Sequence, residues 1–171
     1  MLDAFLAVRD FMEKGGDVLY LILFVLLIMW VLIIERFWYF VRIHPKVAKE
    51  ALGRWNARSD QTSWYASQIR RQLANEVQGE LESSLLMIKT CVALCPLLGL
   101  LGTVTGMIEV FDVMAIAGSG NARAMAEGVS KATVPTMSGM VAALSGVVIS
   151  VQMDRYAREE GERFADSLVH S

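Results

Sequence analysis

Side chains able to do covalent or metal chemistry are scarce in this sequence. Only two histidines occur, His44 and His170, and neither has a candidate nucleophile or metal partner near it in the chain, so a hydrolytic or metal-assisted centre has no inventory to draw on. Cys91 and Cys95 lie one helical turn apart in an apolar run. Without further Cys or His beside them they build neither a zinc site nor a disulfide framework, and they read as small packing residues. No cofactor, no metal and no enzymatic activity is expected. Basic tracts with interleaved aromatics are missing and the net charge is only −2, which argues against a nucleic-acid partner. Internal repeats and low-complexity tracts are missing too. The absence with the largest consequence is that of charge from three long stretches, residues 18–34, 90–108 and 132–152.

Those stretches decide the solvent. A chain of 171 residues that is 54% hydrophobic, with mean hydropathy +0.43, exceeds the apolar share of ordinary soluble domains. Residues 18–34 are apolar throughout, and Phe37-Trp38-Tyr39-Phe40 follows the pair Glu35-Arg36, which reads as a spanning helix with an aromatic belt at its exit. A cleaved signal peptide would want a basic start and a small-residue cleavage site, and bulky aromatics stand there instead. The second and third stretches have spanning length but carry many Gly, Ser and Thr residues, with Pro96 and Pro135. The fold class expected is therefore all-α: an integral membrane protein of three transmembrane helices, with long helices extending into the cytoplasm, assembled as an oligomeric helix bundle.

Counting basic residues orients the chain. Twelve of the 16 Lys and Arg lie in 36–89 or after residue 153, which places those segments in the cytoplasm. The expected organisation is 1–17, an amphipathic N-terminal segment outside, broken at Gly15-Gly16; 18–40, the first span; 41–89, a cytoplasmic helical region; and 90–111, the second span. Then come 112–128, an outer connection and the start of the third helix; 129–153, the third span; and 154–171, a cytoplasmic C-terminal helix. Within 41–89, Ile69, Leu73, Val77, Leu81 and Leu85 recur every four residues, the pattern of an amphipathic helix, which is expected to run straight into the second span. Gly118-Ser119-Gly120-Asn121 reads as a turn with Asn121 capping the next helix.

Two helix faces are lined with small residues. Cys95, Gly99, Gly102, Gly106 and Glu109 align on the second span, and Thr136, Gly139, Ala143, Gly146 and Ser150 on the third. Such faces let helix backbones approach closely in lipid, and Gly139, Ala143 and Gly146 are expected to set the packing between subunits. The hydroxyls among them suit either helix packing or a hydrated conduit. Residues 90–108 and 132–152 contain no Asp, Glu, His or Lys, so if the bundle moves protons, another subunit must supply the acid. Glu109, Asp112 and Lys131 stand near the outer ends, where they can reach water by their own length.

Residues 95–106, CPLLGLLGTVTG, and 127–143, EGVSKATVPTMSGMVAA, resemble the two conserved segments of the MotA/TolQ/ExbB proton channel family, and Glu35-Arg36 before the aromatics matches as well. The likeness extends over essentially the whole chain and is closest to the ExbB branch, with a TolQ-like role in envelope integrity as the alternative. A non-conducting scaffold for partner helices is the alternative from another class. What the resemblance implies is a Gram-negative inner-membrane protein, N-terminus in the periplasm and C-terminus in the cytoplasm. It would form a homo-pentamer in membrane lipid around helices of an ExbD-like partner, which supplies an aspartate and engages a TonB-like protein for nutrient import such as iron uptake. Thr103 and Thr136 would face that aspartate, and with Lys131 and Ser150 they form the candidate proton pathway. Gly99, Gly102, Gly106, Gly139, Ala143 and Gly146 are the candidate packing residues. Lys131 stands where many relatives carry glutamate, so the role of that glutamate does not transfer; the ammonium is expected to reach the outer interface, to line a hydrated cavity, or to pair with an acid, either Glu109 or Asp112 of a neighbouring subunit or a carboxylate of the partner. Pro135 is also unusual and predicts a local kink.

Overall fold

The computed structural model describes residues 2–57, 63–117 and 122–168, and among them every extended element is helical. The order is α1 (Leu2–Trp38), a π-helical segment (Tyr39–Ile43), α2 (His44–Asn56), α3 (Trp64–Glu82), α4 (Leu85–Ala117) and α5 (Ala122–Ser167). Three helical stretches, Gly15–Asn56, Trp64–Ile116 and Met125–Ser167, are long and apolar enough to cross a membrane, and the protein is a multi-pass, all-helical membrane protein. Outward-facing apolar side chains such as Phe24, Val104 and Leu144, each more than half exposed, are what lipid rather than water accepts. The turn and cap read at 118–121, and His170, lie outside the described residues.

The chain forms two compact units, the first from Met1–Trp30 and Thr90–Val147, the second from Val31–Lys89 and Val148–Ser171. In the first unit α1 changes direction at Gly16, whose φ of 65° and ψ of −167° are open only to a residue without Cβ. The N-terminal helix therefore ends at the glycine pair and the spanning helix begins beyond it. The core of this unit is Val18, Leu19, Ile22 and Met29 of α1 with Val92, Cys95 and Val110 of α4 and Ala132, Ala142 and Ala143 of α5.

In the second unit Ser63 caps α3, its Oγ accepting from the Ala66 N–H at 3.2 Å. The four-residue ladder is buried only in its second half, at Val77, Leu81 and Leu85. Ser83 and Ser84 form a turn between this helix and α4, yet Ser83 keeps helical dihedrals and the two run on as one helical stretch, Trp64–Ile116. Between α1 and α2 the helix widens by a π-helical turn at Tyr39–Ile43, a local insertion frequent at functional positions.

Arg36 is the polar centre of the second unit. It is 3% exposed, its guanidinium lies 4.5 Å from the Tyr39 ring centroid and 4.9 Å from that of Phe40, and Nη2 donates to the Glu80 carbonyl. The Tyr39 hydroxyl donates to the Glu80 carboxylate at 2.8 Å, so the end of the first span and α3 are joined by two hydrogen bonds to Glu80, while the two rings pack on the guanidinium from its own segment. Arg36→Met keeps the apolar stem and removes the guanidinium. It is expected to cost about 1.5–3 kcal/mol, the worth of a hydrogen bond to a charged group, read as a lower unfolding temperature in detergent. Arg36→Lys should not restore the loss, since an ammonium cannot stack as a plane on two rings.

Candidate functional site

In the first unit α4 and α5 meet backbone to backbone, and the small residues of both faces make that possible. A Cβ at Gly99 would lie 3.0 Å from the Pro135 carbonyl oxygen and from Thr136 Cα, and one at Gly106 would lie 2.7 Å from Ala132 Cα. At Gly139 it would collide with the Cys95 carbonyl, and at Gly102 with the Pro135 ring. Pro135 thus fills the space that Gly102 leaves, and α5 continues through it as one helix. Ala143 is buried, and Gly146 faces Met29 Sδ and Val92 Cγ2, each 2.5 Å from where its Cβ would be. The face expected to join subunits is therefore occupied by the chain's own α1 and α4. Small residues report close backbone approach, and nothing in their spacing says whether the neighbour belongs to the same chain.

The hydroxyls divide by where they donate. Thr103 returns to the Leu100 carbonyl at 2.7 Å, Thr105 to Gly102 at 3.1 Å, Ser138 to Val134 at 2.8 Å and Ser145 to Ala142 at 2.7 Å, all within their own helices. Thr136 differs: its Oγ1 donates across the contact to the Gly99 carbonyl at 3.0 Å. Chemically this gives the helix pair one polar tie at the level of its closest approach, with the half-buried Thr103 one turn further along α4. Ser150 is 5% exposed and belongs to the second unit.

Lys131 pairs with Glu109 of its own chain, Nζ to Oε2 at 2.8 Å, with both side chains partly exposed. Of the alternatives for this ammonium, pairing with an acid is the one adopted, and the acid is on the neighbouring helix of the same subunit. Sequence reasoning missed Asp17, which shares a polar cavity with Lys131 and Glu109; its place directly after the glycine bend was the available signal. It also missed the Arg36–Glu80 contact, whose members are 44 residues apart in the chain. An arginine embedded among aromatics at a span's end was the hint there.

The model of the MotA/TolQ/ExbB proton channel family matches residues 42–166. A protein of Synechocystis sp. named as a biopolymer transport protein, ExbB-like 1, is 39% identical over 82 residues, which cover 42% of this chain and 32% of that protein. The chain therefore spans about a third of the length of this relative. No solved structure matches it significantly.

Proposed function

This chain belongs to the MotA/TolQ/ExbB proton channel family, and from that premise we propose that it is the ExbB-type subunit of an inner-membrane proton-driven motor. With an ExbD-like partner it couples the proton motive force to TonB-dependent import across the outer membrane. The chain is not an enzyme; its work is to shape a path for protons and to convert their passage into movement of partner helices. The N-terminus lies in the periplasm and the C-terminus in the cytoplasm, following the bias of basic residues. Several copies, a pentamer by family likeness, surround the partner's transmembrane helices.

The observation that carries this reading is the pairing of a tight α4–α5 contact, tied by the Thr136 hydroxyl to the Gly99 carbonyl, with an absence of Asp, Glu, His and Lys from residues 90–108 and 132–152. A hydroxyl can pass a proton along but cannot store one near neutral pH. A path built from this chain alone has hydroxyls and no acid, and a membrane-embedded carboxylate from a second protein completes it. The biopolymer-transport name of the Synechocystis sp. relative agrees with an ExbB-like assignment.

Proteoliposomes holding this chain, the ExbD-like partner or both test the proposal. An imposed pH gradient and potential should produce lumenal pH change only with both proteins, and not when the partner's membrane aspartate is replaced by asparagine. Equal pH stability in all three preparations would support a scaffold instead.

A further inference from the structure

Charged side chains from three helices line one polar cavity of about 350 Å³ in the first unit. Asp17 enters from α1, Glu109 and Thr105 from α4, and Lys131 from α5. Lys131 holds Glu109 at 2.8 Å, and its Cε lies 4.0 Å from where a Cβ on Gly16 would be, so the side chain passes over the bend that immediately precedes Asp17. Asp17 forms no ion pair among the described residues. The cavity is thus lined by one ammonium and two carboxylates, of which Glu109 is the one the ammonium holds. Asp112 and Glu127 are exposed on α4 and α5 and do not line this space.

Two carboxylates on the wall of one cleft attract cations, because a cleft lined by one sign of charge concentrates the field. A cation attached to the chain competes for that position at an effective concentration that a dissolved ion does not match. We propose that Lys131 is a tethered counter-ion that fills the cation position between Glu109 and Asp17, so that the cavity admits a free monovalent cation or hydronium only when the ammonium is displaced. Its biological sense rests on the proton-channel reading above: in such a subunit the tethered charge decides whether ions gather at this end of the helix contact.

The electrostatic claim is measurable without proton flux. In the full chain, reconstituted in lipid with Cys91→Ala and Cys95→Ala, Thr105→Cys places a thiol in the cavity. Its reaction rates with a cationic and an anionic methanethiosulfonate reagent of similar size report the local potential. Lys131→Met is expected to raise the cationic-to-anionic rate ratio about tenfold; Lys131→Gln should do the same, which separates the charge effect from a fold defect of one variant. Lys131→Arg should leave the ratio within about twofold, since the charge stays, and adding Glu109→Gln to Lys131→Met should bring it back down. A ratio unchanged by both neutral substitutions overturns the proposal, and so does a thiol that neither reagent reaches. Either failure leaves the proton-channel reading standing, because that reading is judged by flux with the partner; absent flux with the expected ratios would instead remove the reading and keep the counter-ion.

Discussion

Gly139→Leu is expected to prevent the protein from accumulating in folded form. The glycine Cα faces the Cys95 carbonyl group and lies beside Gly99 Cα, so any Cβ there meets backbone atoms of α4. A clashing side chain can rotate away, whereas a helix backbone can only retreat as a whole. Overpacking of a core position costs about 1–3 kcal/mol even when neighbours adjust. Here adjustment means moving α4 off α5, which also removes the Thr136 bond to Gly99 and the contacts of Gly102 and Gly106. Whole-protein stabilities are only about 5–15 kcal/mol, so the compounded loss takes a large fraction of the total. The controls are Gly53→Ala and Gly79→Ala, where a Cβ would meet nothing within 4 Å. These should be neutral or stabilising by about 0.5–1 kcal/mol, the usual helix-interior difference between glycine and alanine. Membrane protein levels and unfolding temperature in detergent decide the matter, and a Gly139→Leu variant with unchanged values for both would show that the two helices do not meet there.

The second large effect is expected in activity rather than stability, from Thr136→Val. Valine keeps the shape and removes the hydroxyl that crosses from α5 to the Gly99 carbonyl of α4. The stability cost should be small, about 0.5–1.5 kcal/mol for a neutral hydrogen bond, and Gly99 remains within α4, where its carbonyl has the helix's own donor. Transport is more sensitive. A proton descending 100 mV releases only ~2.3 kcal/mol, so raising one barrier by about 1.4 kcal/mol slows the step tenfold. Combined with Thr103→Val, proton uptake by proteoliposomes containing the proposed partner should fall about tenfold or more, while protein level and unfolding temperature hold. Thr136→Ser should recover much of the flux, because it restores the donor. Full flux in the double valine variant would exclude these hydroxyls from the path.

Hydropathy and length were sufficient to identify three spanning helices, because lipid demands that every backbone group be paired inside a long apolar helix. Composition also settled the glycine bend at Gly15-Gly16 and the small faces of the second and third spans, since both are local properties of residue size and dihedral freedom. What pairs with what was not local. Thr103 and Thr136 are the same residue type in similar surroundings, yet one bonds back to Leu100 and the other across to Gly99; which happens depends on how near the opposite backbone comes. The small face at Gly146 announced a close neighbour but not that it would be Met29 and Val92 of the same chain. Lys131 advertised the need for a counter-charge, and only the approach of α4 and α5 selected Glu109. Residue chemistry determines which contacts lipid will tolerate, while register and distance between helices far apart in the chain decide which of them are made.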